Sequence, residues 1–281
     1  MEKASFLEIA KSYKVIFFDS YGVVKNHRGL INGSPKVIAD LKAAGKQVRF
    51  LTNDASRSPE RQMKKFRRLG LNEIEEAEII TSGMMAKQFL ENKVNSGKVA
   101  FLGTPASAQY IIDANLEALH ISRVNLTDIE AISAFVFLDD EGFDWNIDIN
   151  TTVNLLRKRN IPVIVANSDK LYPVAKNDVS IATGGIAQLV SSILNRQFIQ
   201  FGKPDSQMFM YAFRHINEQA VSSKQDILMV GDTLHTDILG GNKFGISTAL
   251  VLTGNTRAAN VESMIRTTGI IPDYICDSIV S

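Results

Sequence analysis

Apolar positions in this chain gather into short, almost unbroken blocks instead of alternating with polar ones. The blocks are Val15–Phe18, Val48–Leu51, Val99–Leu102, Ala134–Leu138, Pro162–Ala166, Ile227–Val230 and Thr248–Leu252. A strand with one wet face shows a period of two, so unbroken blocks of this length predict strands buried on both faces, the habit of parallel sheets covered by helices. Helix signals fill the intervals. Ser34 and Pro35 predict a helix start, with Ser34 as N-cap and Pro35 at the first helical position, and Gly45 predicts its end. Ser58, Pro59 and Gly70 bracket a second helix in the same way. Strands alternating with helices of this length predict an α/β chain of right-handed crossover units.

The blocks fall into two sets. Those near residues 15, 48, 227 and 248 have Asp, Thr, Asn or Gly at their carboxyl ends, whereas those near 99, 134 and 162 carry fewer such residues. This predicts a core domain of residues 1–83 and 183–281 with a second α/β domain, residues 84–182, inserted into it. At 281 residues the chain is long enough for two domains, and 45% hydrophobic with 22% charged residues is ordinary for a globular protein that buries its own core. The formal net charge of +1 argues against nucleic acid or an anionic membrane surface as partner, while leaving a small anionic substrate open. Cys276 is the single cysteine, so no internal disulfide forms. The first fifteen residues lack a signal-peptide apolar block, and no apolar run approaches the roughly 20 residues of a membrane span. A cytoplasmic location is the expectation.

In open parallel sheets, ligands lie beyond the carboxyl ends of the strands. Asp19 follows Val15–Phe18 directly, with Tyr21 and Gly22 next; Thr52 and Asn53 follow Val48–Leu51. Lys203 stands between Gly202 and Pro204, and Asp232 and Asp237 follow Ile227–Val230. These residue types suit phosphoryl transfer. A carboxylate can act as nucleophile and form an aspartyl-phosphate. A hydroxyl and an amide can hold phosphate oxygens, and a lysine neutralises developing charge. Mg2+ takes hard oxygen ligands, commonly one or two carboxylates plus substrate phosphate.

In this order and spacing, Asp19, Thr52, Lys203 and the Asp232/Asp237 pair resemble the four signature motifs of the haloacid dehalogenase superfamily. The long gap between Thr52 and Lys203 resembles the class II-A subgroup of p-nitrophenylphosphatase-like and phosphoglycolate or pyridoxal phosphatase-like proteins. Leu51–Arg57, the Asn167-Ser-Asp169 stretch and the Thr183-Gly184-Gly185 helix start resemble further subgroup features. The resemblance implies a Rossmann-like parallel-sheet core with an inserted α/β cap, entered again through the Thr183 helix. It implies Mg2+ as cofactor, a small phosphorylated metabolite as substrate, and homodimers through the cap. It also implies roles: Asp19 as nucleophile and metal ligand, and Tyr21 as a metal ligand through its backbone carbonyl. Thr52 and Asn53 would bind phosphate, Lys203 would orient phosphate and nucleophile, Asp232 would hold Mg2+, and Asp237 would act behind it or through water. Asn167 and Asp169 would lie near the leaving group.

One position departs from the pattern. Phosphatases of this family carry Asp two residues after the nucleophile as general acid and base, and here the residue is Tyr21. Tyrosine, with an ordinary pKa of about 10, is a poor base near neutrality. Either the leaving group needs little protonation, or another group such as His235 supplies the proton, or the chain is a catalytically weakened binder of a phosphorylated ligand. Asp19-Ser20-Tyr21-Gly22 also resembles the first motif of 2-haloacid dehalogenases, which need no metal. Those enzymes lack the paired metal carboxylates, and their cap follows the first motif.

Overall fold

Each predicted apolar block is a strand in the computed structural model, which describes residues 4–175, 178–216 and 223–281. Besides a two-residue hairpin of Lys25–Asn26 with Gly29–Leu30, the strands in chain order are β1 (Val15–Phe18), β2 (Gln47–Thr52), β3 (Ile79–Thr81), β4 (Lys98–Leu102), β5 (Glu117–His120), β6 (Ile132–Phe137) and β7 (Val163–Val165). They continue with β8 (Leu171–Pro173), β9 (Val179–Ile181), β10 (Ile199–Gln200), β11 (Ile227–Gly231), β12 (Ser247–Val251) and β13 (Tyr274–Cys276). The chain is α/β and separates into two units: Met1–Thr52, Pro59–Ile80 and Lys203–Ser281 form the first, Asn53–Ser58 and Thr81–Gly202 the second.

The first unit is built on a six-stranded sheet of order β13-β12-β11-β1-β2-β3. β1 is buried along its whole length and pairs in parallel with β11 on one side and β2 on the other. From β1 the chain moves outward to β2 and β3, and from β11 it moves the opposite way to β12 and β13. The junction of β1 and β11 is therefore the point where strand order reverses, and the connections there leave in opposite directions to open a crevice. One face of this sheet is packed by an aromatic series. The Phe6 and Phe18 rings lie 5.8 Å apart, Phe18 and Phe50 stack at 6.1 Å, and Phe50 meets Phe66 at 5.9 Å. Phe66 comes from the helix Pro59–Arg68, whose exposed face carries the basic residues. Cys276, on edge strand β13, is fully buried in the same cluster. Burial, with the charge of Asp277 adding to it, pushes its thiol pKa up to about 11.

The second unit holds a five-stranded sheet of order β10-β7-β6-β4-β5 and a separate antiparallel hairpin, β8 with β9. Its core joins Phe135 and Phe137 to Leu155 and Leu156 of the helix Ile147–Lys158 and to Ile186, Ala187 and Val190 of the helix Thr183–Leu194. The structure here departs from the sequence expectation, which returned the chain to the core at residue 183. The apolar stripe of the Thr183–Leu194 helix packs within the second unit, and β10 then adds beside β7, pairing Ile199 with Ile164, before the chain crosses at Lys203. The paired glycines at its start fit this packing, because a Cβ on Gly184 would lie 2.5 Å from the Ser168 carbonyl oxygen. The helix predicted from Ser34 and Pro35 also starts one residue off expectation. Gly33 occupies the N-cap of Ser34–Ala43, and the Ser34 hydroxyl, fully buried, donates to the Val24 carbonyl instead. Among the described residues, no helix is long and apolar enough to cross a membrane.

Candidate active site

Asp19 and Asp232 are far apart in sequence, yet each is the residue that leaves its strand at the reversal point. Phe18 pairs with Val230 across β1 and β11, and the Asp19 N–H donates to the Val230 carbonyl at 2.8 Å. Thr52 ends β2, the neighbour of β1 on its other side, and is nearly buried. Asp237 arrives through a π-helical turn, Leu234–Ile238, in which the Thr233 carbonyl accepts from the N–H groups of both Asp237 and Ile238. Such wide turns are rare and recur at functional sites. The Asp237 carboxylate is thereby folded under the strand end with no exposed surface.

Lys203 completes the group. Its ammonium lies 2.8 Å from Asp19 Oδ1 and 2.7 Å from Asp237 Oδ1, and the residue is only 2% exposed. Burial works against the charged amine, but the Asp19 and Asp237 carboxylates outweigh it and hold the Lys203 pKa above the usual lysine value. Asp232 has no such cation: burial, with the negative charges of Asp19 and Asp237, raises its carboxyl well above the ordinary carboxylate range. Three carboxylates thus face one ammonium. One oxygen from each of Asp19, Asp232 and Asp237 can be chosen so that all lie within 4.8 Å of one another, the one such acidic group among the described residues. Hard oxygen donors in excess of local positive charge fit Mg2+. Of the three side chains, Asp19 keeps the most exposure, 15%.

Tyr21 is half-buried beside this cluster. Burial and the charge of Asp232 raise its phenol pKa, and the backbone N–H of His27, which donates to the phenol oxygen, acts in the opposite direction. Gly22 follows at φ +77°, in the left-handed region, and an added Cβ would lie 2.1 Å from Asp232 Oδ2. The glycine of Asp19-Ser-Tyr-Gly22 is thus required both by backbone conformation and by the close pass to Asp232.

The remaining predicted residues fall into two further places. His235 sits exposed on the π-helical turn. Asn53, Asn167 and Asp169 belong to the second unit. The Asn53 amide donates to Asp169 Oδ1 at 2.9 Å, and the Asn167 side chain accepts from the Asp169 N–H at 2.9 Å. The structure therefore joins Asp19, Lys203, Asp232 and Asp237 in one group and Asn53, Asn167 and Asp169 in another.

The polar end of the 248 block also belongs to the site, beyond the residues expected from sequence. Thr253, Gly254 and Asn255, just past β12, all touch the acidic site. The Asn255 N–H donates to Asp232 Oδ2 at 2.7 Å, and the Thr253 hydroxyl donates to the Gly22 carbonyl. The signal was available: Thr-Gly-Asn-Thr follows a buried strand at its carboxyl end, like the motifs that were recognised.

Residues 16–117 match the family model of haloacid dehalogenase-like hydrolases, and residues 200–281 match a HAD-hydrolase-like model. The crystal structure of a possible sugar phosphatase of the HAD superfamily from Cytophaga hutchinsonii superposes with a TM-score of 0.97 at 52% identity, covering 100% of this chain and 99% of the other. Glycerol-3-phosphate phosphatase of Gallus gallus is 29% identical over 94% of this chain and 89% of its own. Glycerol phosphate phosphatase of Mycobacterium tuberculosis, solved in complex with magnesium, shares the fold at TM-score 0.79 and 22% identity, covering 99% of this chain and 78% of that one. The chain belongs to the haloacid dehalogenase-like hydrolases.

Proposed function

We propose that the protein is a Mg2+-dependent phosphatase of small phosphorylated metabolites, working through an aspartyl-phosphate at Asp19. The observation that carries this reading is the Lys203 ammonium shared between Asp19 and Asp237 beside a third carboxylate, Asp232. In the first step the Asp19 carboxylate attacks phosphorus, a P–O bond forms to the side chain, and the bond to the leaving alcohol breaks. In the second, water attacks the same phosphorus, releasing inorganic phosphate and restoring the carboxylate. Lys203 aims Asp19 and offsets negative charge on the transferred group, while the Thr52 hydroxyl holds a phosphate oxygen. The Asn53 amide is engaged by Asp169, and we assign the Asn53 side chain to holding Asp169 instead. Mg2+ held by Asp19, Asp232 and the Tyr21 carbonyl, with Asp237 behind, would shield the nucleophile from the phosphate it attacks. In this reading the first unit carries the chemistry and the inserted unit, as a cap, selects the leaving group.

The named activities of the relatives, phosphatases all, support this reading over haloacid dehalogenation, as does the three-carboxylate group, for which a metal-free dehalogenase has no use. The deciding test is phosphate release across a panel of metabolite esters with Mg2+ present or chelated. Release should fall to background in EDTA and return with added Mg2+; equal rates in both arms, or chloride release from 2-chloropropionate in EDTA, would sink the proposal.

The phenol of Tyr21, held above its ordinary pKa by burial and the charge of Asp232, is a poor substitute for a general acid near neutrality. The expected substrates are those whose leaving group needs little protonation, such as acyl phosphates or aryl phosphate esters. Tyr21→Asp should raise turnover on alkyl phosphates by roughly 10²-fold, the low end of what a placed general acid contributes. A variant no faster than the parent on those esters would show that protonation does not limit the rate. His235, exposed on the π-helical turn, should tolerate alanine with turnover changed less than about twofold; a loss of tenfold or more would make it the missing acid.

A further inference from the structure

The residues past β12 give up their polar hydrogens one after another to the loops that bear Asp19 and Asp232. The Thr253 hydroxyl donates to the Gly22 carbonyl, in the nucleophile loop. The Asn255 N–H donates to Asp232 Oδ2 at 2.7 Å, and the Thr256 N–H donates to the Asp232 carbonyl at 3.1 Å. The Asn255 amide donates to Thr233 Oγ1 at 2.9 Å, and that hydroxyl donates onward to Asp232 Oδ1 at 2.8 Å. Asn255 therefore grips both carboxylate oxygens, one directly and one through Thr233.

Gly254 sets the distance. A Cβ there would lie 1.8 Å from Asp232 Oδ2, and the Gly254 Cα lies 2.9 Å from where a Cβ on Gly22 would stand. The two glycines and the carboxylate thus meet with no room for a methyl group at either position. A carboxylate oxygen offers about two acceptor directions, so the single N–H on Oδ2 leaves one for a cation.

We propose that Thr253-Gly254-Asn255 is a positioning segment for the cation site: it fixes the orientation of the Asp232 carboxylate and ties it to the nucleophile loop. This rests on the reading of Asp19 and Asp232 as Mg2+ ligands. Groups that orient a metal ligand typically change affinity about 10- to 100-fold when removed. A loop that only ends a strand would change stability and leave affinity alone.

The experiment is calorimetric Mg2+ titration of the whole protein, with urea unfolding in EDTA run on each variant. Gly254→Ala should weaken Mg2+ binding about 10- to 100-fold, and Thr253→Val about tenfold, while Thr253→Ser, which keeps the hydroxyl, should stay within about threefold of the parent. Affinity within twofold of the parent in both Gly254→Ala and Thr253→Val overturns the proposal, whatever the urea curves show. If Gly254→Ala does not fold, the Thr253→Val and Thr253→Ser pair decides alone by the same limits. A parent protein that takes up no Mg2+ overturns the cation site itself, which is a different failure from variants that bind like the parent.

Discussion

Asp19→Asn should reduce phosphate release by roughly 10⁴-fold or more while leaving the protein folded, the largest effect on activity expected of any single change. Asparagine lacks the anionic oxygen that attacks phosphorus, and losses of this size accompany removal of a nucleophile elsewhere. The fold should survive because Lys203 keeps Asp237 as its partner and because the substitution removes a negative charge that raises Asp232. A second measurement reads the loss of the nucleophile without turnover. Beryllium fluoride with Mg2+, a mimic of the phosphorylated carboxylate, should raise the melting temperature of the parent and not of Asp19→Asn. Residual turnover within tenfold of the parent would remove Asp19 from the mechanism.

The largest expected loss of stability is at Lys203. Lys203→Met keeps much of the side chain's bulk but leaves the buried carboxylate of Asp237 with no cation, and breaking one partner of a buried pair typically costs about 3–5 kcal/mol. Phosphate release should fall with it, because the group that aims Asp19 is gone. Adding Asp237→Asn to Lys203→Met should recover part of the stability, since the orphaned charge is then removed, and none of the activity. The coupling read from such a cycle isolates the pair from the lysine's packing. Urea midpoints for the four proteins check this; a single variant as stable as the parent would mean that Asp237 simply takes up a proton without consequence.

Most of the sheet could be read from the chain because its strands are buried on both faces, so each one writes an unbroken apolar block. The strands that escaped are edges or short additions. β5 is half-exposed and reads Glu-Ala-Leu-His, β10 is two exposed residues, and β13 is three residues near the chain's end. The motif residues could also be read, since a polar side chain directly after a buried block is conspicuous. Their distances could not. Nothing local to Lys203 announces that its ammonium reaches Asp19 and Asp237, because that contact is fixed by the neighbouring of β1 and β11 and by the π-helical turn. The Thr183 helix misled for a related reason. Its apolar stripe shows that it is buried on one side, and only the tertiary structure says against which sheet. At Ser34 a hydroxyl suited to capping is drawn instead to the Val24 carbonyl, a partner ten residues away that local pattern does not reveal.

The buried thiol on β13 equips this chain with its own clock for opening. With one cysteine in the sequence, shut away on an outer strand and poorly ionised, a thiol-specific reagent can mark the protein only in moments when that strand lifts from β12. The marking rate therefore times fluctuations of the six-stranded sheet alone, with no contribution from the inserted unit. Run with and without added cation or phosphate mimic, it would reveal whether filling the acidic crevice stills the far edge of the same sheet.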